Sequence, residues 1–520
     1  MESPAAVSGT LPTADDHPSL TARFRSLDFC LALLLAASAL SLYLSFPTRM
    51  YVLEGLARAI PMELGLYRRL LLGNYLLYGL VGNLFYHALL LLGFTSHAFI
   101  ALQAMDGLIG AAGLGVFFFI ARVTGLDRRA AFLWTSALGL SLGYWLWSTE
   151  AENYILSTFV LQVNFLCLLV YHKTRRIPPW ALGLLQALVV FGHLVNGLFM
   201  IVALWIFIAT DANRWKIAFL EYAAACMTAL FLGFGTALIF VKPTGWRDAV
   251  GWLLGSAAGT GGGVRWHGSW WSGTSFLSWV RMTIHIFAPW SAAIYTHPAG
   301  VAFAWIFTKA ALILLAIIVV CGLWRLKKVQ SSERVILVAC GIWLASYAVI
   351  FTSWEPTTMV YRVSDLIPLF LSLAILTSIN IEKKSSLWIP AALMVCLGIG
   401  NFGTEVYPRS FWQNNSRWVL TQFVKQQTDG SSWILGTNGP DNIYLAYFAE
   451  RRPVILDNFH NQPDRLKAFL KNLWKAHQKI YVLSPILSDP YWGHVMTAFR
   501  LVPRAQDPAG LMLYQVEPLK

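Results

Sequence analysis

Apolar runs recur from residue 28 to residue 402, separated by short polar segments, and several reach the roughly 18 to 20 residues that carry a helix across a hydrocarbon core. They predict about eleven transmembrane helices, roughly 28–46, 99–121, 130–147, 155–171, 180–193, 195–210, 217–241, 301–324, 335–353, 364–380 and 386–402. The pair 180–193 and 195–210 is short and joined by FGHLVNG, so it can also be read as re-entrant. The apolar stretch 75–93 is expected to lie along the interface, because a span there would move the later basic loops to the wrong side. Residues 1–27, rich in Ser, Pro and Ala, read as a disordered cytoplasmic tail. Beyond the membrane domain, 28–402, the pattern changes. SSWILGT, PDNIYLAYFAE, PVILDN, DRLKAFLKNLWKAH, KIYVLS and GLMLYQV alternate strand-like and helix-like pieces, which predicts that 403–520 is a soluble α/β domain with a largely parallel sheet. The fold class is thus an α-helical polytopic membrane protein with a C-terminal soluble α/β domain.

Composition strengthens this reading. With 57% hydrophobic and 12% charged residues and a mean hydropathy of +0.56, the chain has too little polar surface for a soluble body. The net charge of +13 does not indicate nucleic acid, because the basic residues are scattered through short loops. Arg122, Arg128 and Arg129, Lys173, Arg175 and Arg176, Arg214 and Lys216, Arg325 to Lys328 and Lys383 to Lys384 instead orient the spans, with the N-terminus cytoplasmic and the C-terminal domain extracytoplasmic. All six cysteines fall in or beside apolar runs, so the exported parts need no disulfides.

On this topology the outer face receives loops 47–98 and 242–300 together with WSTEAENY (147–154) and WEPTTMVYR (354–362). Ionisable groups at such an interface are candidates for function. Glu54 lies in the first loop, and Glu150 and Glu152 lie in WSTEAENY. Each also has a plain structural reading: Glu54 as the i,i+4 partner of Arg58, and the other two as caps of the following helix. Arg58, Arg68, Arg69, Arg265, Arg281 and Arg362 are basic residues on the face that the charge rule leaves poor in them, and arginine suits phosphate oxygens. His193, in HLVNG, is either a satisfied structural residue or a ligand for phosphate or metal. Glu54, Glu152, His193, His267 and His285 together have donor atoms that suit a divalent metal ion, although no fixed ligand spacing links them. The segment GTGGGVRWHGSWWSGT (259–274) lacks the lysine of a P-loop. It reads as a Gly- and Trp-rich loop whose Trp270 and Trp271 either anchor at the headgroups or stack on sugar. TNGPDN (437–442) opens a helix after a strand and is either an anion site or an ordinary turn.

The ordered set LEGLARA, GNYLLYGLVG and WSTEAENY, followed by WEPTTMVYRVSDLIPL, resembles the GT-C superfamily of polytopic glycosyltransferases, similar to bacterial dolichyl-phosphate-mannose-type and aminoarabinose-type transferases. The likeness covers residues 28–210 well and 335–402 loosely. Two departures stand out: the first-loop acid, usually Asp, is Glu54, and Gly73-Asn74 replaces the usual His/Pro pair before LLY. The resemblance implies transfer of a sugar from a polyprenyl-phosphate-linked donor to a glycan, lipid or protein acceptor, with inversion, at the outer face of a bacterial inner membrane. It implies catalytic roles for Glu54, Glu152 and Glu150. Donor phosphate contacts would come from Arg58, Arg69, Arg265, Arg281, Arg362 and His193, and acceptor or sugar contacts from Asn74, Tyr78, Tyr154, Trp270 and Trp271. A transporter or lipid-handling protein of the same outline, and a lipid-linked glycan ligase or polymerase, are the alternatives.

Overall fold

The computed structural model describes residues 26–50, 53–255, 273–289, 300–378, 387–437 and 439–519. The predicted tail before residue 26 and the Gly/Trp-rich segment 256–272, with Arg265, His267, Trp270 and Trp271, lie outside them.

In chain order the main helices are α1 (Ser26–Ser45), α2 (Leu53–Glu63), α3 (Leu76–Leu91), α4 (Ala98–Val123), α5 (Arg128–Gly139), α6 (Leu142–Thr149), α7 (Asn153–Thr174), α8 (Pro179–Gly192), α9 (Phe199–Thr210), α10 (Trp215–Val241), α11 (Trp246–Leu254), α12 (Gly273–His285), α13 (Gly300–Arg325), α14 (Ser331–Ser353), α15 (Leu366–Ser378), α16 (Trp388–Asn401), α17 (Ser416–Gln427), α18 (Pro440–Tyr447) and α19 (Pro463–Lys475). Eight helical segments among the described residues are long and apolar enough to cross a membrane, and the protein is an integral membrane protein. The short expected spans 180–193 and 195–210 are the shorter apolar helices α8 and α9.

The expected single span 130–147 is not continuous. It breaks between α5 and α6 at Leu140-Ser141, where Ser141 is extended and its hydroxyl turns back to the Leu138 carbonyl at 2.6 Å. A broken helix inside a bilayer leaves donors that water cannot reach, so protein must supply acceptors. Residues 286 and 287 of the second long loop do so. Leu142 and Gly143 donate backbone N–H bonds to Phe287 O (3.1 Å) and Ile286 O (2.7 Å). Asn401 Nδ2 donates to both Leu140 O and Phe287 O at 2.8 Å. Ile286, Phe287 and Ala288 are buried, so the end of this loop runs into the bundle core, a course that its apolar sequence alone does not distinguish from a surface segment.

Two sets of contacts fix which span ends share a face. Asp28, fully buried at the start of α1, accepts from Arg122 Nε (3.2 Å) and Arg128 Nε (2.8 Å). At the opposite end Gln103 Nε2 donates to Thr48 O and Thr149 O, both at 2.8 Å. Asp28→Asn is expected to destabilise the protein by about 2 to 3 kcal/mol, below the full cost of breaking a buried pair because both arginines keep some water. Thermal unfolding in detergent measures it, and an unchanged midpoint would show that this node does not anchor α1.

The C-terminal part forms a five-stranded sheet in the order β2-β1-β3-β5-β4, with β1 Trp433–Gly436, β2 Arg452–Ile455, β3 Ile480–Leu483, β4 Phe499–Gln506 and β5 Met512–Pro518. The pairs β1–β2 and β1–β3 are parallel, as the helical crossovers α18 and α19 require. β5 pairs antiparallel with β3 and with β4, so the expectation of a largely parallel sheet holds for one half only. The second half is a hairpin closed around Asp507–Gly510, where Gly510 takes the positive φ of +88° that the turn needs.

Candidate active site

WSTEAENY forms a tight corner. α6 ends at Thr149, Glu150 and Glu152 are extended, and Glu152 is the N-cap of α7, its own carboxylate accepting the Asn153 N–H at 3.3 Å. The capping alternative therefore describes Glu152 correctly, yet leaves most of its surroundings unexplained. Its backbone N–H donates to Asp106 Oδ2 at 2.9 Å, and Asp106 also accepts the Tyr78 hydroxyl at 2.8 Å.

Glu54, partly buried in the first turn of α2, meets this corner. Asn153 Nδ2 donates to Glu54 Oε2 at 2.8 Å. The approach depends on Gly55, because a Cβ there would overlap the Ala151 carbonyl oxygen and lie 2.9 Å from the Ala151 Cβ. An acid followed by glycine thus lets two backbones touch, and the touch brings Glu54 beside Glu152. Arg58, one helical turn further, is buried. Burial pushes the Glu54 carboxyl up, opposed by the Arg58 charge and the Asn153 hydrogen bond. Glu152 is raised well above the usual glutamate range, first by burial and then by repulsion from Glu54 and Glu150, with Arg58 opposing.

Tyr75 and Tyr154 connect the acids to a cavity. Their hydroxyls are 2.8 Å apart, and the Tyr75 ring stands edge-on to the His193 ring at 4.7 Å between centroids. A largely apolar cavity of about 330 Å³ opens beside them, lined by Asn74, Tyr75, His193, Leu198, Leu254 and Trp354 among others. His193 Nδ1 accepts the Val195 N–H at 3.1 Å, so the ring proton sits on Nε2, which is buried with no hydrogen-bond partner among the described residues. On the other side of His193, Tyr347 donates to Asn196 Oδ1 (2.6 Å) and Asn196 donates to Ser157 Oγ (2.7 Å). The first and second long loops also meet here: Trp252 Nε1 donates to Leu71 O at 2.7 Å.

The expected cations are not gathered at one point. Arg58 is beside the acids. Arg362 is fully buried, 3.8 Å from Asp365, with its guanidinium over the Phe351 ring at 4.8 Å and the Trp279 ring at 5.6 Å, and none of its nitrogens has a hydrogen-bond partner among the described residues. Arg68, Arg69 and Arg281 are exposed. Tyr78 is 1% exposed and its hydroxyl is committed to Asp106, so it braces the corner and is not placed to touch a sugar. Among the described residues no three His, Cys, Asp or Glu side chains converge as metal ligands. Among the described residues, Glu54, Glu152, His193 and His285 are therefore not assembled as a ligand shell.

Asp106 escaped the sequence reading because it sits inside an apolar run. A lone acid within a span was nevertheless a visible signal. Asp106→Leu leaves the Tyr78 hydroxyl and the Glu152 N–H buried without an acceptor and is expected to cost about 2 to 5 kcal/mol, whereas Asp106→Asn keeps one acceptor oxygen and loses less. Equal thermal midpoints for the two variants would contradict this.

No family profile and no curated protein matches the chain. Solved structures do. ArnT from Cupriavidus metallidurans bound to undecaprenyl phosphate aligns with a TM-score of 0.59 at 11% identity, over 94% of this chain and 97% of that one. The same protein in the apo state gives 0.55 at 13% identity, over 94% and 98%. The apo oligosaccharyltransferase of Archaeoglobus fulgidus gives 0.51 at 12% identity, over 95% and 76%. The chain shares the fold of ArnT and, more distantly, of the archaeal oligosaccharyltransferase. The likeness to ArnT covers 94% of this chain, more than the membrane helices alone account for.

Proposed function

We propose that the protein transfers a sugar from a polyprenyl-phosphate donor to an acceptor hydroxyl, at the membrane face that carries the C-terminal domain and that charge distribution marks as extracytoplasmic. The observation that carries this reading is the meeting of Glu54, Glu152 and Arg58 next to an apolar cavity that His193 and Asn74 line. Glu54 takes the acceptor's proton as its oxygen bonds to the anomeric carbon. The bond from that carbon to the phosphate oxygen breaks, and polyprenyl phosphate leaves with its charge increased. Arg58 and the Nε2–H of His193 meet that charge, and Glu152 shares the proton load with Glu54. Attack from the face opposite the phosphate inverts the anomeric centre. The cavity's apolar wall suits the lipid part of such a donor, and the ArnT structure bound to undecaprenyl phosphate supports the donor class. Arg362, buried and without a hydrogen bond to any described residue, is a reserve of positive charge for the phosphate if Trp279 moves aside.

The test is turnover by the purified protein in lipid, offered a panel of polyprenyl-phosphate sugars with lipid, glycan and peptide acceptors. Release of polyprenyl phosphate with a new glycosidic product is expected. Movement of an intact donor across vesicles, without bond cleavage, would instead establish a lipid-handling protein.

A further inference from the structure

The segment that carries Glu54 is held at both ends by the C-terminal domain. Before α2, Arg49 donates its N–H to Arg409 O (2.7 Å), Arg49 O accepts from Asn415 Nδ2 (2.6 Å), and its guanidinium lies 5.0 Å over the Trp412 ring. Asn415 also donates to the Tyr444 hydroxyl at 3.2 Å and caps α17. At the other end of α2, Glu63 Oε1 accepts the Tyr447 hydroxyl at 2.6 Å and the Ala98 N–H at 2.7 Å. His97 Nδ1 lies 3.4 Å from the same oxygen. One carboxylate therefore joins α2, the N-terminus of α4 and α18 of the sheet domain. Between the two ties, Leu56, Ala59 and Met62 of α2 share one apolar core with Tyr444 and Tyr447 of α18 and with Ala151 of the corner.

We propose that Tyr447 and Glu63 are positioning residues through which the C-terminal domain holds α2, and with it Glu54, against the 150–152 corner. The domain then takes part in turnover without touching the reacting atoms. The physical reason is the shortness of α2: eleven residues outside the membrane core do not hold a helix in place by themselves, so its orientation must come from what packs on both sides. The part of this inference that concerns catalysis rests on Glu54 being the base. The part that concerns placement does not.

The experiment uses the full-length protein in lipid with three variants. Tyr447→Phe keeps the ring and removes the hydroxyl, Glu63→Leu removes the acceptor, and Glu63→Gln keeps an acceptor oxygen and serves as the conservative control. Hydrogen–deuterium exchange over residues 53–63 is expected to quicken in Tyr447→Phe and Glu63→Leu and to stay near the native rate in Glu63→Gln. Unchanged exchange in both Tyr447→Phe and Glu63→Leu overturns the proposal whether or not any donor is turned over. Where turnover is measurable, the first two variants should lose about tenfold to a hundredfold in kcat, the scale expected of a small misplacement, with donor KM unchanged. Their acid limb should move to lower pH, because a loosened α2 lets water reach Glu54 and relieves the burial that raises it. Faster exchange with native kcat would overturn the link to Glu54. Faster exchange in a protein that turns over no donor in any form would support the clamp and count against the glycosyltransferase reading instead.

Discussion

Glu54→Gln is expected to lower turnover of a polyprenyl-phosphate sugar by about 10² to 10⁴-fold, the range associated with a lost general base. The amide keeps the size of the side chain and can still accept from Asn153, so α2 should stay in place. The pH dependence of the native protein gives a second reading of the same group. Because burial raises the Glu54 carboxyl, the ionised form needed to accept a proton is lost as pH falls through a value above the ordinary glutamate range. The acid limb of kcat/KM should therefore lie above that range. Stability has the opposite sign. A carboxyl whose folded value is raised favours the fold while it is protonated, and that contribution disappears as pH rises past the unfolded value and through the folded one. At neutral pH the glutamine variant should accordingly unfold at the native temperature or higher. A variant that is both active and less stable would mean that Glu54 is a structural ion-pair partner of Arg58 and that another group takes the proton.

Gly55→Ala should be nearly as damaging to activity, through placement instead of chemistry. The added methyl would occupy the space of the Ala151 carbonyl oxygen, and both are backbone-fixed, so neither can turn away. α2 must shift or tilt, at an overpacking cost of about 1 to 3 kcal/mol. A displacement of this kind separates Glu54 from Asn153 and Glu152, for which a loss of about a hundredfold in turnover is expected. Retention of native turnover by Gly55→Ala, with its thermal midpoint unmoved, would show that the contact between α2 and the corner is dispensable.

The same two residues show where the sequence was informative and where it stopped. LEG and STEAENY could be recognised in one dimension because glutamates are scarce in a chain with 12% charged residues. That Glu54 and Glu152 belong to one site followed from counting apolar runs and basic loops, since spans of fixed length and a charge rule are enough to say which loops share a face. Tyr75 and Glu63 were missed, and for a common reason: each takes its meaning from a partner far along the chain, at 193 and 447. The break in the expected span 130–147 was hidden in the same way. Local sequence there keeps the apolar run going with only Ser141 and two glycines at the break, and what permits the interruption is a strap from residues 286 and 287 together with Asn401.

Apolar run length and charge, then, determined by themselves that this is a polytopic membrane protein with an added α/β domain and with Glu54 and Glu152 on one rim. Those features depend on each residue's transfer energy between water and lipid, which is a property of the residue alone. Tertiary structure alone decided that Arg362 lies buried beside Asp365 while Arg58 serves the acids, that Tyr78 faces Asp106, and that the C-terminal domain grips the helix bearing Glu54. Those features depend on which surfaces exclude water together, and that is settled only when distant segments pack.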